Sequence, residues 1–211
     1  CIERRSPLWI LHICFLQTEN GIRYAQKSRG LVEVYKRQAS ERSIVTLKKV
    51  VYNLLIISPY FSGAFAKSVS KAAVDIAQEM GVEKKVCEAI SFAGFICEIG
   101  MVGLDAKVIT TPFNKLTPAQ QDAFFTQSSK AQLILSPATQ LQNVTDIIMH
   151  QFEYVSGRGF PNNVAGVDIP IGAKILSVAR DYIRYRTGKI DGIEHSVVDS
   201  LDKLANYSGL Q

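Results

Sequence analysis

Residues 150–161 read HQFEYVSGRGFP. They have the pattern of a loop that handles phosphate or metal: a polar helix end, then Gly157, Gly159 and Pro161 in quick succession. Arg158, set between two glycines, could reach a phosphate with help from exposed backbone amides. A solvated loop arginine is the simpler reading. The segment holds one histidine and one carboxylate. His150, alone on an amphipathic helix, reads as a boundary residue rather than a ligand. Ser156 before a glycine reads as loop chemistry rather than as a nucleophile.

Those residues need a scaffold, and the composition supplies one. The 211 residues are 47% hydrophobic and 20% charged, enough for one domain with a proper core. The formal charge of +5 invites a nucleic-acid reading, but it is unevenly spread. Residues 1–38 hold seven Lys/Arg and three Asp/Glu, and the remaining 173 hold 17 and 16. The body therefore has no field to attract a phosphate backbone, and no nucleic acid polymer is expected as partner. Cys1, Cys14, Cys87 and Cys97 show no C-x-x-C spacing. Cys87 and Cys97 sit in apolar helical surroundings and read as small buried hydrophobes, which suits a reducing, cytoplasmic compartment.

The chain starts with Cys rather than Met. Its apolar run PLWILHICFL is about half the length of a membrane span, so no membrane association is expected. Residues 34–38, VYKRQ, match what the end of a transposon-based library adapter encodes in frame. Residues 1–38 are therefore expected to be a leader that is partly an assembly artefact, with the domain proper at 39–211. The closing LDKLANYSGLQ reaches a glycine stop at Gly209 two residues before the end, as expected of a truncated, metagenomic fragment.

From Ser43 onward the periodicity is helical. RSIVTLKKVVYNLLIIS should be an apolar helix that stops at Ser58-Pro59. FAKSVSKAAVDIAQEMG places Phe65, Val69, Ala72, Ala73, Ile76, Ala77 and Met80 on one face, with Gly81 as stop. VEKKVCEAISFAGFICEIG becomes apolar all round, as a central buried helix would. In TPFNKLTPAQQDAFFTQSSKAQLIL, Thr117 is the expected N-cap and Pro118 the first helical residue. ATQLQNVTDIIMHQFEYV, DIPIGAKILSVARDYIRYRTG and GIEHSVVDSLDKLANYSG complete an all-α bundle of about seven helices. Phe92, Phe124 and Phe125 are expected in the core, and RDYIRYR on a solvated helix face.

In this order, FICEIGMVGL, KLTPAQQDAF and FEYVSGRGFPNNVAGVDIPIGAKILSVARDY resemble an HD-GYP domain. That family is the branch of the HD metal-dependent phosphohydrolases that degrades cyclic di-GMP in bacteria. The likeness spans roughly residues 45–211 and is most specific from Glu153 to Ala179. It implies an HD-domain helical bundle, but it does not carry the chemistry. The signature H-D-x-G-K falls on Cys97, Glu98, Ile99, Gly100 and Met101. The other family ligand positions fall on Phe65, Gln127, Gln151, Phe152, Ser156 and Arg180, and the phosphate lysine on Thr111. A one-residue slip to His150 or Asp181 would turn a helical side chain by about 100°.

The resemblance thus implies a vestigial site of Phe65, Cys97, Glu98, Met101, Gln127, Gln151, Phe152 and Arg180, with no catalytic residue, metal or cofactor. Glu98 and Arg180 are expected to meet as an ion pair in the vacated cavity, unless both face solvent at its mouth. The expected function is a catalytically inactive module of a bacterial response-regulator-type protein, acting through a protein partner or self-association. The alternatives are binding of cyclic di-GMP through Gly157, Arg158, Gly159, Phe160, Pro161 and Lys174, and hydrolysis by a rearranged metal set of Glu98, His150 and Asp181.

Overall fold

The computed structural model describes residues 44–53 and 61–207, and what it describes is helical. The chain divides into two units, Cys1–Thr46 and Leu47–Gln211, and the fold that follows is that of the second. The leader with its apolar run, Cys1, Cys14, the Ser58-Pro59 stop and the final glycine lie outside the described residues.

The order is α1 (residues 44–53), α2 (Gly63–Glu79), α3 (Lys84–Ile96), α4 (Ala106–Thr110), α5 (Pro118–Phe125), α6 (Gln127–Leu135), α7 (Gln142–Met149), α8 (Ile171–Arg186) and α9 (Val197–Tyr207). Short 3₁₀ turns intervene, among them Ile99–Met101 and Thr139–Leu141. Among the described residues the β structure is an isolated bridge between Phe152 and Phe160. The all-α expectation holds.

Helix α2 starts where the Ser62 side chain accepts the Phe65 amide. It stops before Gly81, whose φ of 69° is a left-handed turn that suits glycine. Phe65, Val69, Ala73 and Ala77 are buried, with Ala72 and Ile76 at the margin. Met80, expected on the same face, is exposed because it is the C-cap residue beyond the last packed turn. Helix α3 is the buried centre, packed on α2, α7 and α8. Ser70 in α2 donates to the Ser91 carbonyl in α3 at 2.8 Å. Helix α9 packs on α8.

Thr117 caps α5 as its sequence asks. Its hydroxyl accepts the Gln120 amide while the Gln120 side chain accepts the Thr117 amide, a capping box followed by Pro118. The expected long helix after it breaks in two at Thr126. There the hydroxyl and the amide both turn back to the Ala123 carbonyl, at 2.7 and 3.2 Å. The helix expected through Val155 instead ends at Met149, and residues 151–155 are left to build the site. Gly100 lets a backbone pass where no side chain could: a Cβ there would lie 1.7 Å from the Gln127 carbonyl oxygen. The turn after α3 is thereby pressed onto the start of α6.

Candidate functional site

Five segments converge. Helix α2 contributes Phe65, and the turn after α3 contributes Cys97, Glu98 and Met101. Gln127 comes from the first residue of α6, Gln151 and Phe152 from the turn after α7, and Arg180 from the middle of α8. All eight side chains are buried.

Gln151 links three segments. Its amide donates to the Cys97 carbonyl at 3.2 Å, and its side-chain oxygen accepts from Arg180 at 3.1 Å. Arg180 also donates to the Gln151 backbone carbonyl at 3.0 Å, and its other nitrogens reach Asp181 at 2.9 and 3.0 Å. Its guanidinium carbon lies 4.0 Å from the Phe152 ring centre, a cation–π contact. Gln127 donates to the Phe124 carbonyl at 2.9 Å, and Met101 packs with Val108, Leu116, Phe124 and Phe152.

The expected Glu98–Arg180 pair is not formed. Glu98 binds Lys189, whose ammonium donates to both carboxylate oxygens at 2.9 and 3.2 Å and sits 3.8 Å from the Phe65 ring centre. Arg180 finds its charge in the adjacent Asp181 instead. The physical reason is supply. The loop after α8 carries a lysine back to Glu98, and a buried carboxylate takes the cation that reaches it. Next to that pair, burial first and then the Glu98 charge push the Cys97 thiol up to about 12. Cys87 and Cys97 are both buried and free, as expected.

RDYIRYR is not a solvated face. Arg180, Arg184 and Tyr185 are buried. The Arg184 guanidinium lies 4.6 Å from the Phe124 ring centre and 5.9 Å from that of Phe113, and it donates to the Lys189 carbonyl at 3.4 Å. Aromatic faces rather than water receive these arginines. Phe113, Phe124, Phe125 and Phe152 meet edge to face, and Phe160 stacks on Phe125 with centroids 4.4 Å apart. Phe92 and Phe124 are core as expected, while Phe125 is half-buried, with Phe160 stacked on its ring.

The glycine loop closes on its own carboxylate. The buried Glu153 accepts the amides of Asn162 at 2.7 Å and Val164 at 3.0 Å. The amides of Gly157, Phe160 and Gly166 go to the carbonyls of Tyr154, Phe152 and Val155. Arg158 is exposed, Pro161 follows a cis peptide bond, and Lys174 lines a groove with Glu153 and Val155. His150 is half-buried, its Nδ1 2.8 Å from the Asp146 carbonyl, and His195 pairs with Asp191 at 2.7 Å.

The sequence reading did not anticipate Glu153, Arg184 or Lys189. Arg184 had a signal: it follows Arg180 by four residues and so shares its helix face. Lys189 had none, because its partner is 91 residues away.

Among the described residues no three His, Cys, Asp or Glu side chains gather closely enough to hold a metal ion. No helix among them is long and apolar enough to cross a membrane.

A family model described as HD domain matches residues 49–210. A protein named cyclic di-GMP phosphodiesterase, from Thermotoga maritima, is 28% identical over 109 residues, covering 51% of this chain and 29% of that protein. Among solved structures, Bd1817, an HDG"Y"P protein from Bdellovibrio bacteriovorus, superposes with a TM-score of 0.53 at 16% identity, over 68% of this chain and 52% of that one. The chain thus spans about a third of the curated relative's length and about half of the solved chain.

Proposed function

This chain belongs to the HD domain family, and from that premise we propose that it is a catalytically inactive, HD-GYP-like signalling module that acts by binding a protein. The observation that carries this reading is the bonding of Arg180. The resemblance implies that its position is that of a family ligand, and its guanidinium is fixed by Gln151, Asp181 and the Phe152 ring. A guanidinium cannot shed its proton, so it brings a permanent positive charge to that place. Lys189 adds a second cation at Glu98. Two divalent ions need several imidazoles and carboxylates converging on them. Amide, aromatic and cationic side chains do not fit that demand.

A binding role is supported by apolar surface on α8, α9 and the glycine loop. Val155, Val178 and Leu201 are each about half exposed, and they line a groove of about 380 Å³ with Ile169 and Leu204. The module would sit in a bacterial, cytoplasmic response-regulator-type protein, with 39–211 as the functional unit.

The test uses the full 211-residue chain. Bound iron, manganese and zinc are measured, and the protein is then titrated calorimetrically with cyclic di-GMP and assayed for its cleavage. The expected result is no stoichiometric metal, no heat and no linear dinucleotide. Metal together with turnover overturns the proposal. Heat without turnover selects the alternative, a cyclic di-GMP sensor, whereas the name of the Thermotoga maritima relative speaks for hydrolysis.

A further inference from the structure

Arg184 faces a cleft of about 290 Å³ whose walls include Phe113, Phe124, Phe125, Tyr154, Arg180 and Asp181. Among the described residues, three cations and two carboxylates lie at or beside this cleft. Arg180 is matched by Asp181, and Glu98 by Lys189. Arg184 is left with a 3.4 Å hydrogen bond to a carbonyl and two ring faces. Burial first, and then the Arg180 charge one turn earlier, push its pKa down from the ordinary arginine value, against the opposing pull of the Asp181 and Glu98 charges. An arginine nevertheless keeps its proton in a protein. Among the described residues, Arg184 is thus the cation at this cleft held without a direct ion pair.

We propose that this cleft binds a small aromatic acid carrying one negative charge, with the carboxylate on Arg184 and the ring among Phe113, Phe124 and Phe125. The chemistry of the walls sets each part of that description. A carboxylate matches the planar donor fork of a guanidinium. A flat ring finds edges and faces of aromatic side chains. One excess cation calls for one anion, and the cleft is at the small end of ligand pockets. The site differs from the glycine loop, whose amides of Asn162 and Val164 already serve Glu153. It also goes beyond the proposed signalling role, since metal and turnover can be absent with this cleft either filled or empty.

The experiment titrates the full chain with benzoate and trans-cinnamate, and with their neutral amides, by calorimetry and ligand-observed NMR at low salt. The acids are expected to bind at least about tenfold tighter than the amides, as the loss of a charge-assisted contact requires. Arg184→Gln should abolish that preference while the urea midpoint stays level or rises, because a buried cation without a direct ion pair is removed. Lys71→Gln, which removes an exposed charge elsewhere, should change nothing. Equal affinity for acid and amide overturns the proposal on the unsubstituted protein alone. So does failure of either acid to saturate, full retention of the preference in Arg184→Gln, or displacement of benzoate by cyclic di-GMP, which carries two charges.

Discussion

Lys189 and Glu98 are 91 residues apart in the chain and 2.9 Å apart in space, and the lysine also covers the Phe65 ring. The Glu98 side chain is buried while Lys189 keeps about a third of its surface. Lys189→Met should therefore strand a carboxylate and destabilise the fold by roughly 1–3 kcal/mol, less than a fully buried pair because water still reaches the site. Adding Glu98→Gln to that variant should restore most of the loss. Urea denaturation of the two singles and the double closes the cycle, and independent, additive losses would show that the pair does not couple.

The Cys97 thiol should behave as an inert group. With its folded pKa pushed up to about 12 from an ordinary 9.0, only ~10⁻⁴ of it is thiolate at pH 8. Alkylation followed by peptide mass mapping should leave Cys97 unmodified in the native protein and modified in urea. The sign of the linkage also follows. The folded state holds its proton longer, so this group leaves stability untouched below pH 9 and lowers it progressively as pH rises from about 9 toward 12. Cys97→Ala should remove that part of the alkaline decline.

Glu153→Gln should loosen the glycine loop. The amides of Asn162 and Val164 would exchange a charged acceptor for a neutral one, a loss of about 1–2 kcal/mol. Hydrogen exchange at those two amides should speed up selectively, with Ala173 and Leu176 in α8 unchanged. Uniform acceleration would mean that the carboxylate supports the whole domain instead.

Gly100→Ala should be among the least tolerated single-atom additions. Its Cβ would lie 1.7 Å from a backbone oxygen of Gln127, which cannot rotate away, so a loss of about 3 kcal/mol or more is expected. Thermal unfolding monitored by circular dichroism measures it, and an unchanged midpoint would mean that the turn after α3 slides freely on α6.

Local chemistry made much of the fold legible. Thr117 before Pro118, Gly81 after an apolar stripe, and the run from Phe65 to Ala77 each state their structure within a few residues. The helix break at Thr126 was not visible, because a hydroxyl that turns back on its own backbone looks like any other polar residue. The site was half legible. The eight positions from Phe65 to Arg180 are buried together, but the ion pair expected between Glu98 and Arg180 is not formed. Arg180 was expected on Glu98 because a buried carboxylate without a partner is costly, whereas the chain supplies nearer counter-charges in Asp181 and Lys189. Arginine on a helix face normally implies water. Here Phe152 and Phe124 replace the solvent, and aromatic faces brought in from other helices leave no trace in the spacing of RDYIRYR.

The closure of the glycine loop on Glu153 has a kinetic corollary. A segment already wrapped around a group of its own chain has no ordering left to perform when something collides with it. A partner docking in the groove beside Val155 would therefore meet a finished shape, and the pace of that encounter would be set by diffusion and orientation rather than by waiting for the backbone to rearrange.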